Sequence, residues 1–178
     1  MPQNKCVFFD RDGIVNESPG AGKYVLNWDE FRLVPEFPEC LRAARQHGYE
    51  AALVTNQRAV ALGLMRADQL EAIHQRLREL LEGEHRLGLL DIEYCPHDVD
   101  ECSCRKPKPG MLLALAARHD IDLGRSWMIG DSESDVEAGR RAGCRTIRVG
   151  PLAMPSRADI LLDSMRDLPA RLDALLKT

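Results

Sequence analysis

The chain has 178 residues, 44% of them hydrophobic and 29% charged, which suits one globular domain over 1–178 and excludes a disordered or fibrous chain. A formal net charge of -4 gives no general attraction to nucleic acid or anionic lipid, so neither is expected as a partner. No apolar run approaches the about 20 residues that span a bilayer, and residues 1–5 lead into a short apolar stretch without a cleavage pattern; a cytoplasmic monomer is the expectation.

Residues 6–10 read CVFFD, a short apolar strand ending in a carboxylate, and Arg11-Asp12-Gly13 breaks it as a loop does. Residues 38–46 carry Leu41 and Ala44 at helical spacing and are stopped by Gly48, after which 49–54 read as a second buried strand. Over 68–81, Leu70, Ile73, Leu77, Leu80 and Leu81 share one helical face, with His74, Arg76 and Arg78 largely off it. Residues 91–94 suggest a brief strand, 111–119 a helix, and 127–129 a strand ending at Gly130-Asp131. A helix over 134–142 is stopped by Gly143, strands follow at 145–149 and 160–162, and a closing helix over 169–176 tolerates Pro169 in its first turn. This alternation argues for an α/β fold, a Rossmann-like doubly wound parallel sheet whose ligands sit beyond the carboxyl ends of the strands.

Three segments place polar residues directly after strand candidates: Asp10-Arg11-Asp12-Gly13, Thr55-Asn56-Gln57, and Gly130-Asp131 through Asp135. In a doubly wound fold those ends converge. Gathered carboxylates repel unless a cation neutralises them, and an all-oxygen set favours magnesium. Lys106 supplies a charge of the kind that stabilises a transferring phosphoryl group. Read singly, Asp10 and Asp131 are more often helix caps than catalysts, Thr55-Asn56 more often a turn, and Lys106 more often a solvated lysine. Their conjunction points to chemistry.

Of six cysteines, Cys95, Cys102 and Cys104 crowd around His97, offering three thiolates and one imidazole within ten positions. With four protein ligands the set closes a tetrahedral zinc site with no position for water, so zinc is expected to be structural and to fold loop 95–104. Cys6, Cys40 and Cys144 read as small buried hydrophobes. His47, His74, His85 and His119, on helix faces or near ends, read as solvated.

Asp10-x-Asp12-Gly13, Thr55-Asn56, Lys106 and Gly130-Asp131-x-x-x-Asp135 together resemble, in order, the four motifs of the haloacid dehalogenase superfamily. The resemblance implies a phosphatase, a phosphoric monoester hydrolase using Mg2+. In it Asp10 is the nucleophile that becomes an aspartyl phosphate, and Asp12 is the general acid and base. It implies that Thr55 and Asn56 bind phosphoryl oxygens, that Lys106 holds Asp10 and the phosphate together, and that Asp10, Asp12 and Asp131 hold magnesium. Asp135 is expected just outside the ligand set. The zinc loop running into Arg105-Lys106-Pro107-Lys108-Pro109-Gly110-Met111 resembles the capless branch that contains the heptose-bisphosphate and histidinol-phosphate phosphatases, more closely the former. That implies Zn2+, no separate cap domain, a sugar phosphate substrate, and Arg105 and Lys106 aimed at it.

One departure is visible. The heptose branch commonly continues Thr-Asn-Gln-Ser-Gly-(Ile/Leu)-Ala-Arg-Gly, whereas this chain has Thr55-Asn56-Gln57-Arg58-Ala59-Val60-Ala61-Leu62-Gly63. The Ser-Gly pair and the arginine are missing, which bears on substrate identity. Histidinol phosphate is the second candidate substrate. A polynucleotide 3'-phosphatase ranks third, since no basic run with interleaved aromatics is present to hold a strand. From a different class, a zinc-stabilised binding protein without turnover would need the intact Asp10, Asp12, Lys106 and Asp131 set to be idle.

Overall fold

A six-stranded sheet organises residues 3–177, the part of the chain described in this computed structural model; Met1, Pro2 and Thr178 lie outside it, including the first two residues of the 1–5 lead-in. The strands are β1 (Lys5–Phe9), β2 (Tyr49–Asn56), β3 (Asp91–Cys95), β4 (Trp127–Gly130), β5 (Arg145–Val149) and β6 (Ile160–Leu162). All neighbours pair in parallel, in the order β3-β2-β1-β4-β5-β6. The helices are α1 (Phe37–Gln46), the single turn α2 (Arg58–Ala61), α3 (Ala67–Leu80), α4 (Gly110–His119), α5 (Glu133–Ala142) and α6 (Leu168–Leu176).

The sheet is apolar on both faces because helices cover both, so β1 is a continuous apolar run rather than an alternating one. Val7 and Phe9 face a core built with Phe37, Leu41, Leu77 and Leu172 of α1, α3 and α6. Cys6 and Phe8 face the other way, onto Met111, Leu112 and Leu115 of α4 and Ala138 of α5. Each buried phenylalanine of β1 contributes about 2 to 3 kcal/mol of hydrophobic stabilisation. Among the described residues no helix is long and apolar enough to cross a membrane.

From β1 the chain winds outward through β2 and β3, then returns to place β4 on the other side of β1. The crevice between the carboxyl ends of β1 and β4 is therefore the topological switch point of the sheet. Asp10 leaves β1 there, Asp131 leaves β4 beside it, and Thr55-Asn56 close β2 next door.

Some local expectations change. β2 runs on through Asn56, since Thr55 and Asn56 pair with Tyr94 and Cys95 of β3. Residues 81–85 widen into a π-helical turn that ends at Arg86 with φ of 57°. His74 is not solvated: it is only 6% exposed, with its ring 5.7 Å from that of Tyr94. His47 and His119 are half-buried against Asp173 and Asp91, at 2.8 and 2.7 Å.

Candidate active site

Lys106 is the centre of the crevice, although the residues beside it, Arg105 and Lys108 among them, read as an exposed loop. Its ammonium reaches Oδ1 of Asp10 at 2.6 Å, Oδ1 of Asp135 at 2.7 Å and the carbonyl of Val54 at 2.7 Å, and the whole residue is 4% exposed. Asp10 and the Val54 carbonyl accept hydrogen bonds from it, and Asp135 meets it as an ion pair. Its loop is tied to β2 by a reciprocal pair of hydrogen bonds. The Asn56 amide donates to the Lys106 carbonyl at 3.0 Å, and the Lys106 backbone N–H donates to Asn56 Oδ1 at 3.0 Å. Asn56 thus positions the lysine.

Asp135 is held from α5. Its Oδ2 accepts from the backbone N–H of Ser132 at 3.1 Å and from the Ser132 hydroxyl at 2.6 Å, a capping arrangement at the helix start. Gly130 makes room for it, because a Cβ there would lie 2.3 Å from the Asp135 side chain. Ligand oxygens of Asp10, Asp131 and Asp135 all lie within 4.8 Å of one another. Asp135 is thus in the carboxylate cluster itself, pinned by a lysine and a cap.

Three acids face one ammonium, and the imbalance appears in their proton affinities. Burial, then the charge of Asp135, pushes Asp10 up to about 8, against the pull of Lys106. Burial and Asp135 raise Asp131 to about 6. Burial disfavours the charge on Lys106, but Asp10 and Asp135 outweigh it and hold the lysine firmly protonated. A small divalent cation beside Asp10 and Asp131 would relieve this repulsion, and the oxygen-only donor set fits magnesium.

Asp12 is the other carboxylate of the first loop, and a network turns it toward the cavity. Its Oδ1 accepts from Arg11 Nη2 at 3.0 Å and from Asn16 at 2.9 Å; its Oδ2 accepts from Gln57 Nε2 at 3.1 Å. The same Gln57 amide donates to Thr55 Oγ1 at 2.8 Å, linking the first and second motifs. Arg11 is wholly buried, with its Nη1 3.3 Å from His74 Nε2. Burial, then the Arg11 charge, holds His74 down at about 3, so the ring is neutral and can accept from the guanidinium.

Arg11, Gln57 and His74 were not picked out by sequence reasoning. His74 is buried with Leu70, Ile73 and Leu77 and not off their face as expected; its place four residues after Leu70 and three before Leu77 was the available signal, and Gln57 sits directly after Thr55-Asn56.

The cavity above these groups measures about 260 Å³ and is lined by Asp10, Asp12, Thr55, Asn56, Lys106, Asp131 and Asp135, with Ser18, Pro19, Gly20, Lys23, Tyr24, Ser132 and Ser134 completing the wall. Of the residues expected at the site, Arg105 alone lies outside this lining. Its guanidinium turns to the carbonyl of His97 at 3.2 Å. Arg58, from the segment that departs from the family pattern, pairs with Asp98 at 2.6 Å and so braces α2 against the cysteine loop.

In that loop the four candidate metal ligands come together: Cys95 Sγ lies 3.5 Å from Cys102 Sγ and 3.6 Å from His97 Nδ1, and Cys104 Sγ lies 3.3 Å from Cys102 Sγ and 3.4 Å from His97 Nδ1. Tetrahedral zinc with Zn–S bonds of about 2.3 Å needs sulfurs about 3.8 Å apart, so the set fits with a slight expansion. The thiols share their protons unevenly: burial, then hydrogen bonds with Cys102 and Cys95, pushes Cys104 up to about 12, whereas for Cys102 burial is outweighed by hydrogen bonds from Cys104 and the Arg105 backbone, which bring it down to about 6.

Comparison with known proteins agrees with this geometry. The HAD-hydrolase-like family model matches residues 103–151, which span the lysine loop and the Gly130-Asp131 segment. The chain is 40% identical to D-glycero-beta-D-manno-heptose-1,7-bisphosphate 7-phosphatase of Pseudomonas aeruginosa, covering 80% of this chain and 79% of that protein. It is 35% identical to D-glycero-alpha-D-manno-heptose-1,7-bisphosphate 7-phosphatase of Mycobacterium tuberculosis, covering 90% and 87%. The crystal structure of D,D-heptose 1,7-bisphosphate phosphatase from B. bronchiseptica, complexed with magnesium and phosphate, superposes with a TM-score of 0.82 at 32% identity over 97% of this chain and 98% of that one.

Proposed function

Since the chain belongs to the heptose-1,7-bisphosphate 7-phosphatase family of HAD-like hydrolases, we propose that it removes the 7-phosphate of D-glycero-D-manno-heptose 1,7-bisphosphate through a phosphoryl group carried on Asp10. The observation that carries this reading is the Lys106 ammonium bridging Asp10 and Asp135 beside Asp131, at the floor of an open cavity at the switch point.

An oxygen of Asp10 attacks phosphorus, and the bond from phosphorus to the sugar O7 breaks. Asp12, turned toward the cavity by Arg11 and Gln57, gives its proton to the departing alkoxide. Asp12 then takes a proton from water as that water attacks phosphorus, which frees Asp10 and inorganic phosphate. Thr55 and Lys106 hold phosphoryl oxygens, and Lys106 keeps Asp10 oriented. Asp10, Asp131 and the backbone carbonyl of Asp12 would hold magnesium, which when bound offsets the charge of carboxylates and phosphate. Cys95, His97, Cys102 and Cys104 would hold a structural zinc. We read 1–178 as one catalytic unit without a separate cap, acting as a monomer in the cytoplasm; its six free cysteines suit a reducing compartment.

The test is a panel of phosphorylated sugars, including both heptose anomers, beside histidinol phosphate. The expected result is the highest kcat/KM on a heptose 1,7-bisphosphate with magnesium, and loss of turnover with EDTA. A higher kcat/KM on histidinol phosphate would overturn the substrate; no turnover of any phosphate ester would overturn the enzyme.

A further inference from the structure

We infer that Lys23 binds the phosphate that is not cleaved, and so makes this site prefer a bisphosphorylated sugar over its monophosphate; the inference rests on the proposed function. The cavity has two ends of opposite character. Its floor is buried and crowded with Asp10, Thr55 and Lys106, whereas its rim is the exposed loop carrying Ser18, Gly20 and Lys23. A substrate with one phosphate on the floor presents its far end to that rim.

A dianionic phosphate at the rim needs a cation that is free to meet it. Lys106 is committed to the floor, hydrogen-bonded to Asp10 and the Val54 carbonyl and paired with Asp135, where it serves the phosphate that is cleaved. Arg11 is buried against Asp12 and His74. Outside the lining, Arg58 is engaged by Asp98 and Arg105 by the carbonyl of His97. Lys23 is the remaining cation of the lining, and among the described residues its ammonium has no hydrogen-bond or ion-pair partner.

Its backbone is anchored all the same. The Lys23 N–H donates to the Gly20 carbonyl at 3.1 Å, and Gly20 and Gly22 flank this turn with φ of 95° and 71°. The loop therefore carries the lysine into the cavity wall while leaving its side chain to solvent. In the altered 58–62 segment Arg58 is engaged by Asp98 and lies against Tyr24 of the cavity wall, while Leu62 carries no charge.

The experiment compares kcat/KM for heptose 1,7-bisphosphate with that for heptose 7-phosphate, which offers the same scissile bond without the second phosphate. In the wild-type chain the ratio should exceed one and fall as salt rises, since an exposed ammonium is readily screened. Lys23→Gln should lower the ratio about tenfold, within the range of a charge-assisted hydrogen bond, and Lys23→Arg should restore most of it. A ratio unchanged in Lys23→Gln overturns the inference while leaving the phosphatase reading intact. A ratio lowered instead by Arg105→Ala also overturns it. A wild-type ratio at or below one overturns both the inference and the bisphosphate substrate.

Discussion

Gly13 has φ of 93°, and a Cβ built on it would stand 2.1 Å from Oδ2 of Asp131. The first loop can therefore close on the β4 carboxylate only if residue 13 has no side chain. Gly13→Ala should displace Asp131 and lower kcat/KM by about 100-fold, as misplacement of about 1 Å does elsewhere, while raising the magnesium needed for half-maximal activity. An unchanged magnesium requirement would contradict this. His74 sets a different expectation. Its ring is held at about 3 in the fold by burial and the Arg11 charge, against 6.5 for an unperturbed histidine. As pH falls below about 6.5 the unfolded chain takes up a proton that the folded chain refuses. Stability is thus full above that pH and is lost progressively toward about 3. His74→Gln should flatten this part of the curve of Tm against pH; an equal slope in both proteins would refute it.

At the scale of elements, the cysteine loop does more than enclose four ligands. It joins β3 to the lysine loop, and it is braced to α2 by Arg58 and Asp98 and to the lysine loop through Lys108, whose ammonium donates to the Cys102 carbonyl at 2.6 Å. Replacing Cys102 and Cys104 together by serine should lower Tm by several degrees and activity by about tenfold, the latter through a slackened Lys106, since metal-site loss removes folding energy directly. Unchanged kinetics and Tm would show the loop to be self-supporting. The same elements explain what was legible beforehand. β1, β2 and β4 announce themselves because burial on two faces demands unbroken runs such as Val7-Phe8-Phe9. The turn α2 was illegible, as four residues cannot display a helical period. Residues 55 and 56 looked like a loop because their strand pairing depends on β3, some forty residues away.

Over the whole molecule, the site exists because the chain reverses its winding between β3 and β4, which brings residues 10 and 131 to one crevice. That convergence was readable from carboxylates placed directly after apolar runs. What the sequence hid were the buried partners that arrive from elsewhere. Arg11 looked like loop charge until His74, 63 residues on, closed over it. Asp135 was placed just outside the metal ligands, but its ion pair with Lys106, for which Gly130 makes room, was not foreseen. Arg105 was aimed at the substrate by resemblance; in the structure its hydrogen bond runs to the His97 carbonyl of the cysteine loop. The central claim is covalent, and it can be read directly. Acid quench of the enzyme during turnover of a heptose bisphosphate with magnesium, followed by borohydride reduction and peptide mass analysis, converts an aspartyl phosphate to homoserine. Homoserine is expected at residue 10, with aspartate retained at residues 12, 131 and 135. Reduction at any of those other positions, or none during active turnover, would contradict it.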